Sequence, residues 1–490
     1  MNRSTRRELI GTAAAGAAFA AVPPAWAKRL LSQRASVGQG RFLDGVASGE
    51  PSATAVTFWS KLTTARPSSG ARLIVARDEN LRKVVATTVV PTGRSIDGTV
   101  KVRIGGLKPH SHYYYVWESR DDVSPVGRTR TLVPGDSTID QHLAFSSCQS
   151  YGHGYYRAHA DAAAQDLDLY VFLGDYIYET RRAASATQPR TDPLDSNDLR
   201  SYRAKYRVYR SDEALRELHR VHPAVHIWDD HEVANNYTDN RPAPSAAQRA
   251  AAYRAAFEWL PRMVFPTERY RIFKRIPIGR TMDLFLLDER QYRTVDDAGN
   301  PVRILGERQI QWLIDGLKSS SAKWKIIANQ VQIAPLDFGN GESQDSWGGY
   351  PESRARLLGE IERAGIPNVV FITGDSHVFM TNVLASDFET FRSDPSRHPA
   401  AVEYLGGSVT TPGADRVESE VQAKNPWNRQ FNGVNHGYAL LGASSAQLVT
   451  EYRRSDILDP HGATAPFERF TQLDGTNNPS RQSLSPRAGV

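Results

Sequence analysis

A second cysteine is missing from the 490 residues, so no internal disulfide can form even where the compartment would permit one. No repeat and no low-complexity tract is present, which excludes solenoid and fibrous architectures. No block of lysine and arginine is dense enough for nucleic-acid binding; the formal charge of +6 favours anionic substrates in general and names none. Beyond residue 27 no apolar run approaches the ~20 residues that a membrane-spanning helix needs. The length exceeds one ordinary core and points to two domains or one large one.

The amino terminus reads as a targeting segment. Thr5-Arg6-Arg7-Glu8-Leu9-Ile10 is a twin-arginine pattern, followed by the alanine-rich run Gly11 to Val22 and a small-x-small site at Ala25-Trp26-Ala27. Residues 1–27 are therefore expected to be a cleaved export signal for the twin-arginine machinery. A soluble, monomeric, periplasmic or secreted enzyme follows from that expectation.

Residues 40–134 carry short strand-like runs separated by Gly, Pro, Ser and Asp. Leu107-Lys108-Pro109 before Tyr113-Tyr114-Tyr115 fits a tyrosine corner, in which a phenol bonds back to the upstream backbone of a fibronectin-like β-sandwich. From 140 to 455, strands alternate with helical patterns at Gly154–Gln165, Leu199–His219, Ala246–Leu260, Glu307–Leu317 and Glu352–Arg363, the signature of an α/β layer fold. The segment 456–490 is rich in polar residues, proline and glycine and is expected to be a surface wrap or tail.

The chemistry centres on Asp168 to Glu179, DLYVFLGDYIYE. Its apolar run is too short for a helix and apolar on both faces, so it predicts a buried strand ending at Gly174, which lets another atom approach closely. Asp175 then stands at the strand's carboxyl end, where α/β folds bind ligands, and Tyr178 can swing back to it. Three further runs copy the design: HLAFSSC ends in Cys148, AVHIWDDHE in Asp230 and His231, and VVFITGDSH in Asp375 and His377. Cys148 is either a small buried hydrophobe or a metal-held thiolate, and its place at a strand end favours the metal. Two cations ~3.5–4 Å apart need a bridging carboxylate and hard oxygen donors. Asp175 is the best bridge, with Asp230 and Asp375 flanking.

A ferric ion would suit Tyr178 and Cys148, whereas calcium would take oxygens alone, including the amide oxygens of Asn329 and Gln330 in IIANQ. Which of Asp229, Asp230, Asn236, Asn329 and Gln330 would bind calcium stays open. His231 is a candidate general acid or transition-state donor, the alternative being a structural bond to Glu232. Arg290 and Arg293 could grip a phosphate bidentately, or pair with Asp288 and Glu289 at a surface.

Taken in order, Thr5 to Ile10, FLDGVASGEP, FSSCQSY, GDYIYE, WDDHE, WKIIANQ and ITGDSH resemble the PhoD-type alkaline phosphatase family, which includes phospholipase D-like phosphodiesterases and is related to purple acid phosphatases. The resemblance implies an amino-terminal fibronectin-like domain and an αββα catalytic sandwich. It also implies one ferric ion, Fe(3+), and two calcium ions, Ca(2+), with Cys148 replacing the aspartate of purple acid phosphatases. Where relatives often read Trp-Asp-Gly-Tyr, this chain has Trp347-Gly348-Gly349-Tyr350. The expected function is hydrolysis of phosphate monoesters, and of diesters as a wider class, by in-line attack of a metal-bound hydroxide. The alternatives are a phosphodiesterase acting on lipid headgroups or teichoic-acid-like polymers, and an exported metal- or phosphate-binding protein without turnover.

Overall fold

The computed structural model describes residues 37–63, 69–185, 187–337, 343–394 and 399–484. The expected export signal lies outside the described residues. Among these, no helix is long and apolar enough to cross a membrane.

Near the amino terminus, an antiparallel sheet joins Val84–Thr92, Ser69–Ala76, His112–Glu118 and Gly127–Arg130 in that order. Leu73, Val75, Tyr115 and Trp117 of this sheet pack on Phe58 and Val100 of a facing layer. Buried Tyr113 accepts the Lys108 backbone N–H on its hydroxyl at 2.7 Å, which is the bond of a tyrosine corner. The facing layer does not stand alone. Its strand Val46–Gly49 pairs antiparallel with Val56–Lys61 and parallel with Pro223–Ile227, so the amino-terminal β-unit continues into the main sheet. That four-residue strand, VASG, is buried on both faces and contains no alternation by which its sequence would reveal it.

The main sheet has ten strands, ordered Ser480–Ser483, Thr464–Leu473, Gln447–Ser455, His436–Ala443, Gln141–Ser146, Leu169–Leu173, Pro223–Ile227, Val46–Gly49, Val56–Lys61 and Thr99–Ile104. A second sheet of seven strands runs Lys274–Ile278, Met282–Leu286, Trp324–Asn329, Val369–Thr373, Ala401–Gly406, Phe379–Leu384 and Asn428–Asn432. Successive side chains of a strand face opposite ways, and the burial follows. Ile326, Ala328, Val370 and Ile372 join the cluster that holds Phe145, Val171 and Ile227 of the main sheet. Ile327, Val369 and Phe371 pack instead on Leu313 and Leu317 of helix Glu307–Ser319 and on Leu357 and Ile361 of helix Pro351–Arg363. On the far side of the main sheet, the Phe172 ring lies 5.7 Å from His159 of helix Arg157–Ala163 and 5.3 Å from His219 of helix Glu213–Val221. The layers are therefore helix, sheet, sheet, helix, a mixed α/β architecture with an amino-terminal β-rich unit.

Two expectations fail for identifiable reasons. The helical pattern over 199–219 is two helices, Leu199–Tyr209 and Glu213–Val221, because Asp212 caps the second by accepting the Leu215 N–H at 3.0 Å. The carboxyl-terminal segment expected as a wrap or tail instead supplies edge strands of the main sheet. Along Thr464–Leu473 the buried positions are Glu468, Phe470 and Gln472, so the period of two is present but two of its three inward residues are polar.

Replacing Tyr113 with phenylalanine leaves the Lys108 N–H without its acceptor and should lower stability by about 1 kcal/mol. Urea unfolding should show a reduced midpoint at constant slope; an unchanged midpoint would remove the corner from the account.

Candidate metal centre

The parallel strands of both sheets end at one place. Gln141–Ser146 leads to Cys148, Leu169–Leu173 to Asp175 and Tyr178, and Pro223–Ile227 to Asp229, Asp230 and His231. From the second sheet, Met282–Leu286 leads to Arg290, Trp324–Asn329 to Gln330, and Val369–Thr373 to Asp375 and His377. Gly174 permits this convergence. Its φ is +108°, and a Cβ there would fall 2.5 Å from Asp229 Cβ and 2.9 Å from Asp229 N.

Four of the converging residues hold a left-handed backbone: φ is 58° at Cys148, 52° at Asp175, 59° at Asp375 and 58° at His377. Each such non-glycine residue costs roughly 1–2 kcal/mol and persists only where its surroundings dictate it. Here Cys148 N–H bonds Gly174 O and Gln149 N–H bonds Asp175 O, both at 3.2 Å. Buried carboxylates clamp the same loops. Glu232 accepts the backbone N–H groups of Asp175, Tyr176 and Asp229 at 3.1, 2.7 and 2.9 Å, and burial pushes its acid up to about 7. Glu289 accepts the N–H groups of Gln330 and Val331 at 3.1 and 2.8 Å and the Trp347 indole at 2.7 Å, and burial pushes its acid up to about 8.

The donor atoms fall into three groups, each within 4.8 Å: Cys148, Asp175 and His377; Asp175, Asp230 and His231; Asp229, Asp230 and Asp375. Asp175 belongs to the first two and Asp230 to the last two. The Tyr178 hydroxyl accepts from Thr411 Oγ1 at 2.8 Å, and its ring lies 4.2 Å from that of His231. Burial, reinforced by neighbouring carboxylates, raises the Cys148 thiol, the Tyr178 phenol and the Asp175 and Asp375 carboxyls well above their usual ranges. Asp229 Oδ2 and Gln330 Oε1 are buried acceptors without a partner among the described residues. So many acidic groups in one buried volume can ionise together only beside cations, and the mix of thiolate, phenolate, carboxylate and imidazole suits a trivalent iron and oxygen-seeking calcium. The residues present therefore fit the expected metals.

Three charged side chains hold this cluster differently from the sequence alternatives. Arg290 is buried and pairs with Asp229 through Nε and with Asp345 through Nη1 and Nη2 at 2.6 and 3.0 Å; it stands 3.7 Å from both Asp230 and Asp375. Arg293 also binds Asp345. The pairing with Asp288 and Glu289 at a surface is thus corrected: both arginines are buried, and Asp288 accepts the Trp228 indole N–H at 3.2 Å. Against the cost of burial, the two guanidinium groups hold Asp345 far below the usual carboxylate range. His231 bonds Glu179 at 2.6 Å through Nδ1, not Glu232. Burial opposes its charge, but Asp175, Asp230 and Glu179 outweigh it and lift the imidazole to about 10. His377 is the reverse case: burial lowers it to about 4, and Nδ1 donates to Pro412 O at 3.0 Å, leaving Nε2 as a lone-pair donor.

Asn329 is engaged at both ends, its amide nitrogen with Val331 O and Thr373 Oγ1 and its oxygen with the Trp347 indole at 3.3 Å. Gln330 donates to Trp228 O and Leu287 O at 2.9 Å each, which leaves its oxygen available.

The model of the PhoD-like phosphatase family matches residues 143–452, and that of the family's N-terminal domain matches residues 25–133. Alkaline phosphatase D of Bacillus subtilis (strain 168) is 34% identical over 464 residues, covering 86% of this chain and 79% of that protein. The chain belongs to the PhoD-like phosphatase family. As a PhoD-like phosphatase it is a phosphoric ester hydrolase. The solved structure of PhoD superposes with a TM-score of 0.85 at 31% identity, covering 92% of this chain and 94% of that one. A purple acid phosphatase from yellow lupin (Lupinus luteus) seeds, at 12% identity, shares the fold with a TM-score of 0.59 over 87% of this chain and 73% of its own.

Sequence reading of this PhoD-like chain missed Glu179, Glu232 and Asp345 as site residues. Glu179 and Glu232 stand inside the motifs GDYIYE and WDDHE and were legible as acids, but which backbone or ring they serve is decided by the loops that face them. Asp345 stands two residues before Trp347 and carried no signal of its own.

Gly174→Ala should drive Cβ into Asp229 and cost most of the bound metal, read by elemental analysis against wild type; full metal content would show that the loops can shift. Asp345→Ala should destabilise the protein by about 3 kcal/mol by leaving buried Arg293 without a carboxylate among the described residues and Arg290 with Asp229 as its close partner. The check is again the urea midpoint, and no change would make Asp229 a sufficient partner.

Proposed function

We propose that this phosphatase hydrolyses phosphate monoesters at a mixed iron and calcium centre organised by Asp175. The observation supporting this reading is that donor atoms of Asp175 stand within 4.8 Å of those of Cys148 and His377 and also of Asp230, which is shared in turn with Asp229 and Asp375. Cys148, Tyr178, His377 and Asp175 would hold the ferric ion, and Asp175, Asp229, Asp230, Asp375 and Gln330 offer the oxygens for calcium. Bound there, the cations would supply an acidified water and neutralise the equatorial oxygens of the phosphate.

The chain's own residues do the rest. His231, its Nδ1 anchored on Glu179, keeps Nε2 to donate a proton to the departing alkoxide. Arg290 offsets the negative charge of Asp229, Asp230 and Asp375, and Asp345 fixes its orientation. Arg293, which lines the adjoining cavity and has one nitrogen without a partner among the described residues, is the better placed of the two to contact a phosphate oxygen. Export through the twin-arginine route, with metals loaded before translocation, agrees with the Arg6-Arg7 motif.

Asp175→Asn should reduce p-nitrophenyl phosphate hydrolysis by about a thousandfold or more with an unchanged circular dichroism spectrum; retention of activity would overturn the site. Elemental analysis should find iron and calcium together, and chelation should abolish activity that added calcium restores. Changing Arg6 and Arg7 to lysine should leave the protein inside the cell, read by fractionation.

A further inference from the structure

Beside the metal centre lies a cavity of about 580 Å³, within the size range of small-molecule sites. It shares Arg293 and Asp345 with the centre, as well as Asn236, whose backbone N–H donates to Asp230 at 2.6 Å, and runs on between the segment 234–248 and the loop 295–301. Its charges are unequally matched. Asp345 is bound by Arg290 and Arg293, which leaves Arg241 as a cation on the wall with no carboxylate within 4.0 Å among the described residues. The Arg241 guanidinium donates to the carbonyl oxygen of Asp296 at 3.3 Å. The carboxylate of Asp296 is turned onto its own loop, accepting the backbone and side-chain N–H groups of Asn300 at 2.8 and 2.9 Å, and so does not neutralise Arg241.

Two further polar atoms belong to residues of this wall and are buried without partners among the described residues, Thr238 Oγ1 and Arg293 Nη2. A cation without a carboxylate partner on the wall of a cavity of this size suits an anionic ligand. Val295, Pro301 and Tyr350 supply apolar surface for a ring or short chain.

We propose that this cavity receives the alcohol part of the ester, and that Arg241 selects alcohols bearing a second negative charge, a carboxylate or a further phosphate. The inference rests on the reading of the adjoining centre as the place of phosphoester hydrolysis. With phosphorus at the metals, Asn236 and Arg293 lie at the junction where the ester oxygen leaves the centre. Arg241 stands on the wall beyond it, where its planar fork can meet a carboxylate or phosphate bidentately.

The test compares kcat/KM for 4-carboxyphenyl phosphate and phenyl phosphate, a pair that differs by one carboxylate. Taking their ratio within each variant cancels differences in folding or metal content. Wild type should favour the carboxylated ester about tenfold, mostly through KM, with the preference shrinking as salt is raised. Arg241→Lys should retain part of the preference, Arg241→Ala should bring the ratio close to one, and Arg241→Glu should invert it. The same ratio in wild type and Arg241→Glu, or a preference residing in kcat, would overturn the proposal. Failure of wild type to hydrolyse either ester would instead refute the monoesterase reading. Dissociation constants of the two esters by calorimetry would then replace kcat/KM with the same ratios expected.

Discussion

Crowding of acidic donors at one buried point is the constraint on which the rest of the structure depends. Burial and mutual repulsion push Cys148, Asp175, Tyr178, Asp229 and Asp375 above their usual ranges, whereas Arg290 and His231, against the cost of burial, hold Asp230 below its own. Such an arrangement cannot be a by-product of hydrophobic collapse, because each unmatched charge taken out of water costs several kcal/mol. It is sustained by a framework that leaves the donors nowhere else to go. The function drawn from it follows the same logic: a place that needs cations is a place where a phosphate can be neutralised and attacked.

That framework divides its work between two sheets. The main sheet brings Cys148, Asp175, Tyr178, Asp230 and His231 on three parallel strands, and the second sheet brings Arg290, Gln330, Asp375 and His377 on three more. Neither sheet holds a full set of donors. The buried glutamates, Glu232 and Glu289, convert strand ends into rigid loops by accepting three and two backbone N–H groups that would otherwise be orphaned. Glu403 does the same further along, taking the Ile333 and Ala334 N–H groups at 2.8 and 3.2 Å. The strained conformations at Cys148, Asp175, Asp375 and His377 are the local cost of turning donors inward, borne by the packing around them.

Legibility followed burial pattern and motif. Strands such as Leu169–Leu173 and Val369–Thr373 are continuous apolar runs because both faces are covered, and their ends carry the donors, so strand and site could be read together. Strands with mixed inward faces were not readable: Thr464–Leu473 buries Glu468 and Gln472, and Val46–Gly49 is too short and too small-chained to announce itself. The histidine at 231 was recognised, but its partner was taken from the neighbouring Glu232 rather than from Glu179, more than fifty positions away. Arg290 and Arg293 were read as candidate grips for a phosphate, and their engagement with Asp345 was not legible.

By itself, the sequence determined which side chains stand at the ends of buried strands, because hydrophobic periodicity and the glycine punctuation at Gly174 and Gly374 are local properties of the chain. The tertiary structure alone decided which of those ends meet, which carboxylate each arginine and histidine answers to, and where Arg241 is left without one among the described residues. Those pairings depend on the order and register of strands far apart in the chain, and distance in space is what local sequence does not encode.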